Sequence, residues 1–179
     1  MKAQALDPAS DGEPDDALVR AARGGDRCAF ETLYRRHGPR LMPMLWRLAG
    51  GDRALAEDWL QEAFVHAWRK LGQLRDPGAF GGWLKRLAVN TALAEQRRGR
   101  LRTVDVEAEV TAPEPPWPAA DLDLERAIAA LPERARQTFV LFHLSELGHT
   151  EIAELMKIET GTSKAQLHRA RQLLKEALA

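Results

Sequence analysis

From residue 15 onward, apolar residues return every three or four positions, and that period predicts one helix after another. Ala17, Leu18, Ala21 and Ala22 make a first short stripe, ended by Gly24, Gly25 and Asp26. Phe30, Leu33, Tyr34, Leu41, Leu45 and Leu48 continue the spacing. Pro39 and Pro43 are expected to bend or divide that segment, because proline has no N–H and crowds the preceding turn. A second Gly-Gly-Asp, at 50–52, stops it. The clearest stripe covers 54–71, with Leu60, Ala63, Phe64, Ala67, Trp68 and Leu71 on one side. There Glu57, Asp58 and Glu62 crowd the N-terminal half while Arg69 and Lys70 close the C-terminal end, the order a helix dipole favours. Asp76, Pro77 and Gly78 form a turn, after which 80–98 reads as a helix with Trp83, Leu84, Leu87 and Leu93 inward. Nothing alternates at period two. The fold class is all-α.

The stripe disappears over 101–123, where four prolines and six acids follow no apolar period. A stretch of that length and composition predicts a flexible, acidic, Pro-rich linker joining two small helical domains. The expected division is a frayed tail at 1–14, a first domain at 15–100, the linker at 101–123 and a second domain at 124–179. In the second, 124–131 is helical, and Pro132 suits the start of the next helix, lined by Ala135, Phe139 and Phe142. A short helix over 149–156, a tight turn and a longer helix from 162 make a helix-turn-helix. Ile152 and Leu155 supply the buried face of its first helix, Ala153 allows a close crossing, and Ile158 plugs the turn. Gly161 is expected to let the chain enter the second helix, on which Leu167, Ala170, Leu174 and Leu178 point inward. Gly148 is a poor cap, although Glu151 keeps half of a capping box, and Lys157 stands where glycine is easier.

Charge changes the picture only through its distribution. The 179 residues carry 26 basic and 26 acidic side chains and no formal net charge, so any contact with nucleic acid has to be local. Six Lys or Arg and one acid, Glu95, lie between Lys85 and Arg102, while Thr103 to Asp123 holds six acids and no base. The last helix is basic again: Lys164, His168, Arg171 and Lys175 share an outer flank, with Ala165 and Arg169 beside them. N-terminal residues of such a helix reach base edges, and later Arg and Lys hold phosphates. The plain alternative is a solvated helix face. Cys28 is the only cysteine, which excludes an internal disulfide and a cysteine-based zinc site, and His66 and His168 are too scattered for another metal. No nucleophile, carboxylate pair or phosphate loop has helpful surroundings, so no catalytic residue, no cofactor and no enzyme activity are expected. The N-terminus lacks an apolar core and no apolar run is long enough to span a bilayer, which predicts a cytoplasmic protein without membrane insertion.

At this point several stretches resemble a known family. LPERARQTFVLFHLSELGHTEIAELMKIETGTSKAQLHRARQLL is similar to the promoter-upstream-binding domain of extracytoplasmic-function sigma factors of bacterial RNA polymerase. DDALVRAARGGDRCAFETLYRRHGPRL, AEDWLQEAFVHAWRKL and FGGWLKRLAVNTALAEQRRGR resemble that family's core-binding and minus-ten regions, in the right order. The resemblance implies that Asp58, Gln61 and Glu62 dock on the clamp helices of the polymerase beta-prime subunit. It implies that Phe80, Trp83, Lys85, Arg86, Asn90, Arg97 and Arg98 receive the melted minus-ten element. Lys164, Ala165, His168, Arg169 and Arg171 would read the minus-thirty-five element. Core polymerase, including its beta flap, promoter DNA and an anti-sigma factor are the partners implied. The acidic linker would pass through the polymerase cleft, with Trp117 as an apolar anchor or merely part of an extended spacer. One departure stands out: many family members carry Asp and a basic residue after NxAL, where this chain has Ala94 and Glu95. An acid facing DNA would repel it. Two other readings stay open: a helix-turn-helix regulator acting without polymerase, and a sigma-like decoy that sequesters an anti-sigma protein.

Overall fold

The computed structural model describes residues 12–102, 115 and 122–179, and every regular element among them is helical. The chain runs α1 (Asp15–Arg23), α2 (Arg27–Leu48), α3 (Arg53–Lys70), two 3-10 turns (Leu71–Gln73 and Pro77–Ala79) and α4 (Phe80–Arg102). It continues as α5 (Leu122–Ala130), α6 (Glu133–His143), α7 (His149–Met156) and α8 (Thr160–Ala177). Most of the N-terminal tail, and most of the acidic linker with Trp117, lie outside the described residues.

The repeated Gly-Gly-Asp works as a stop followed by a start. Gly25, Gly50 and Gly51 take φ of 96°, 71° and 90°, left-handed values that glycine adopts without a Cβ penalty. The chain then leaves one helix axis and enters the next within a few residues. Asp26 accepts from the Cys28 and Ala29 amides at 2.8 and 3.1 Å, and Asp52 from the Leu55 amide at 3.0 Å, so each aspartate caps the following helix.

Pro39 and Pro43 do not divide α2, which is continuous from Arg27 to Leu48. Each proline costs a helix interior about 3 kcal/mol. Burial elsewhere on the helix repays it: Leu33, Leu41, Leu45 and Leu48, turned away from the prolines, are all buried, as is Trp46, at about 1.5–3 kcal/mol per large side chain. Pro39 is exposed and Pro43 half-buried, so neither ring has to be fitted wholly into the core.

The N-terminal unit is built around Trp46, Trp59, Phe80, Leu18 and Leu33, all at most 2% exposed, with α2 and α3, and α3 and α4, in the broadest contact. Helices α5 to α8 do not stand apart from it. They pack on α2 and α4, and Ile128, Leu141 and Ile152 join the same apolar cluster as Leu45 and Val89. Polar ties reinforce this contact. Arg47 holds Glu125 through two hydrogen bonds, with Nε at 2.9 Å from Oε2 and Nη2 on Oε1. Both side chains are well buried, 16% and 7% exposed. Gln96 donates to the Leu48 carbonyl at 2.9 Å and accepts from Gln137 at 2.8 Å.

Candidate nucleic-acid interface

The helix-turn-helix is assembled from α7 and α8. Lys157 ends α7 at φ 54° and ψ 53°, and the Ile158 amide returns to the Ala153 carbonyl at 3.0 Å. A lysine thus fills a left-handed position that glycine would fill more easily. At the other end of α7 the Gly148 amide donates to Glu151 at 3.0 Å, the half of a capping box that needs no side chain at 148. Ile152 and Ala153 face inward against Leu167, Ala170 and Leu174 of α8. Leu178 does not join them, being 45% exposed at the frayed end. Gly161 is not the point of entry either. It lies inside the first turn of α8, and Glu159 is the capping residue.

Lys164, Ala165, His168 and Arg169 are exposed along the outer side of α8. Arg171 differs, because its guanidinium lies over the Phe142 ring (5.7 Å to the centroid) and 3.4 Å from His143 Nε2. It is braced against α6 while remaining exposed, a rigid cation rather than a swinging one. Burial, and then the Arg171 charge, pull the His143 pKa below its ordinary 6.5. Sequence reading missed two further braces: the buried Ser163 hydroxyl, 3.0 Å from His149 Nδ1, and the His149 ring stacked on Phe142 at 5.0 Å. His149 and Ser163 are fourteen residues apart with no motif linking them, so no local signal could have paired them.

On α4 the candidates separate by helical phase. Lys85, Arg86 and Asn90 share one flank and border a cleft of about 520 Å³, whose other wall includes Glu146, Glu151 and Glu154. Arg97 donates to the Leu155 carbonyl of α7 at 3.1 Å. Trp83 is half-buried. Phe80 is fully buried, its ring packed edge-on to His37 at 5.2 Å and 6.0 Å from Trp83, so it offers no face on which a base could stack. Its burial follows from its place at the start of α4, where the chain turns in beneath α2.

Glu95 takes a different side of α4 from the basic residues before it. It lies nine positions, about two and a half turns, beyond Arg86 and therefore on the opposite flank. There it pairs with Arg98 and borders a groove of about 1080 Å³ between α3 and α4. Asp58, Gln61 and Glu62 border the same groove, over an apolar floor that includes Leu55, Trp59 and Val65. Glu62 also lies 3.0 Å from His66 Nε2. The acid at 95 thus turns away from the basic flank, and Arg98 accompanies it. Among the described residues no three His, Cys, Asp or Glu side chains are grouped to hold a metal, and no helix is long and apolar enough to cross a membrane.

A helix-turn-helix with an outward basic row, joined to a helical unit with one acidic groove and one basic flank, defines a DNA-binding protein built to dock on a further protein. Known proteins fix the family. Residues 33–102 match the family model for sigma-70 region 2, and residues 121–174 that for sigma-70 region 4. The ECF RNA polymerase sigma factor SigE of Mycolicibacterium smegmatis is 34% identical over 179 residues, covering 93% of this chain and 69% of that one. The ECF RNA polymerase sigma-E factor of Escherichia coli is 34% identical over 178 residues, covering 89% and 92%. The sigma factor RpoE of Bartonella quintana, solved with the anti-sigma factor NepR, has a similar fold (TM-score 0.59, 24% identity, 83% of this chain and 96% of that one). The chain belongs to the ECF family of RNA polymerase sigma factors. It is a subunit that joins core RNA polymerase and directs promoter recognition and the initiation of transcription.

Proposed function

We propose a division of this task among three surfaces. The α3 groove, with Asp58, Gln61 and Glu62, docks on the clamp helices of the beta-prime subunit. The α4 flank with Lys85, Arg86 and Asn90 receives the melted minus-ten strand, Asn90 supplying an amide for a base edge and Trp83 an apolar border. Phe80 supports that flank from beneath. On α8, Lys164, Ala165, His168 and Arg169 read the minus-thirty-five element in the major groove, and the braced Arg171 holds a phosphate. The beta flap is the proposed contact of the α5–α8 unit. The unit boundaries at 15–100 and 124–179 and the cytoplasm as the place of work belong to the same reading.

The observation that carries it is the outward row on α8. Four candidate base-reading residues are exposed on the side opposite Leu167, Ala170 and Leu174, where a recognition helix needs them. A zero net charge fits a subunit whose DNA affinity is completed by the enzyme on which it rides. An anti-sigma protein is the proposed keeper of the chain between rounds of use.

Asn90→Ala tests the strand assignment. With core polymerase, permanganate reactivity of promoter thymines should fall about tenfold, one hydrogen-bonded base contact being about 1–3 kcal/mol. Duplex binding through α8 should stay unchanged. Equal loss of both, or of neither, would remove Asn90 from the strand-binding surface.

A further inference from the structure

Two unlike kinds of contact hold α8. Leu167, Ala170 and Leu174 press it against the core, an apolar attachment that fixes distance but has no direction of its own. Its first turn lacks a side-chain cap, since Glu159 makes no capping hydrogen bond. The directional contacts come from one pair of rings. Phe142 of α6 and His149 of α7 stack at 5.0 Å with 29° between their planes, and α8 meets this pair at two points. Ser163, fully buried, sets its hydroxyl 3.0 Å from His149 Nδ1. Arg171 lies over the Phe142 ring, 5.7 Å from its centroid. The two points are eight residues apart, about 12 Å along the helix and about 80° apart around it. Together they stop α8 from turning about its axis as well as from tilting.

We propose that Ser163, His149 and Phe142 are positioning residues for promoter discrimination, an assignment that rests on α8 being the recognition helix. With Arg171 they hold α8 at the rotation from which Lys164, Ala165, His168 and Arg169 reach base edges. A turn of about 15° moves an atom about 6 Å from the axis by about 1.5 Å, well beyond the roughly 0.5 Å within which a recognition constellation has to be held. A hydrogen bond to a base edge fails at that error. A phosphate contact follows the charge and survives it. Loss of the brace therefore costs sequence discrimination and spares general affinity for DNA. Ser163 is buried on the side away from the outward row, so it acts through the helix and touches no base.

The test uses the full chain with core polymerase on the genomic fragment that gives its strongest start site. About ten base pairs around minus-thirty-five are left intact or shuffled, and the readout is the ratio of transcript from the two fragments at limiting holoenzyme. Ser163→Ala should lower that ratio about tenfold, the size of one base contact, and change output from the shuffled fragment less than twofold. His149→Asn, whose amide can stand where the ring Nδ1 stood, should lower it only about threefold, since Ser163 keeps a partner while the stack on Phe142 is lost. Arg171→Lys keeps the charge but not the flat group over Phe142, and should also lower it about threefold with the salt dependence unchanged. A ratio that stays within twofold in Ser163→Ala, or equal losses from the intact and shuffled fragments, would overturn the brace. Should Ser163→Ala melt below the assay temperature, the other two variants decide, and unchanged ratios in both would overturn it. If the unaltered chain itself transcribes the two fragments equally, the assignment of α8 as the recognition helix falls instead.

Discussion

Along one flank of α4, Lys85, Arg86 and Asn90 face the glutamates of α7. Along the other, Glu95 and Arg98 border an open groove shared with Asp58, Gln61 and Glu62. The two flanks belong to one helix, the first taken from its N-terminal half and the second from its C-terminal half, and a count of charge between 85 and 102 cannot tell them apart. Helical phase does. The basic flank meets a covering surface of opposite sign within the chain, while the acidic groove stays open to a partner from outside. A surface left open is ready for the first binding event, and a covered one waits for the second. That order suits a subunit that joins polymerase before it holds a melted strand.

The comparison depends first on α4 keeping its rotation, which Phe80 secures. Phe80→Ala should cost about 3–5 kcal/mol, as for other buried aromatic residues, and lower the melting temperature by about 10 °C. A ring that only stacked on bases would leave stability unchanged. The next effect concerns the open side alone. Charge reversal at Asp58 and Glu62 should weaken capture of core polymerase about thirtyfold or more, as for close charge pairs at an interface, without altering duplex DNA binding by α8. Unchanged co-purification would remove both from the interface.

Arg169→Ala lies outside both flanks and should cost about 1–3 kcal/mol of promoter-specific transcription while polymerase capture holds. Equal losses in both would mean misfolding. Glu95→Lys sharpens the comparison most finely. It should weaken polymerase capture several-fold, about 1 kcal/mol for one added charge at the rim, and leave single-strand binding unchanged. If it instead strengthens strand binding, Glu95 belongs with the basic flank after all. The smallest effect is on acid stability. His143 is held below its ordinary pKa of 6.5, so between the two values the unfolded chain binds more protons than the folded one. Stability should be complete above about pH 6.5 and should decline as the pH falls through the lowered value. His143→Gln should flatten that slope in melts followed from pH 8 to pH 5.

The helices were legible because their apolar stripes, Gly-Gly-Asp stops and acidic starts are local signals. The helix-turn-helix was legible down to the left-handed Lys157, since its turn length and inward stripe repeat a local geometry. Local rules failed where tertiary burial outweighed them. Two prolines are carried inside α2 because its other face is buried. Phe80 was expected beside the melted strand, but a large ring at a helix start suits a core as readily as a stacking surface, and here it is buried. Which way Glu95 faces was not legible either, because nearness in sequence to basic residues does not give the side of the helix. The contacts between the units, Arg47 with Glu125 and Gln96 with Gln137, join residues 78 and 41 positions apart and leave no periodic trace.

The most direct test of the central claim is run-off transcription with purified core polymerase on genomic fragments, including the region upstream of this protein's own gene. Discrete start sites should appear only when the protein is added, and they should be lost both with Asp58 and Glu62 reversed and with Arg169→Ala. Transcripts indifferent to the protein, or start sites that survive all of these changes, would contradict the assignment of these surfaces to polymerase and promoter.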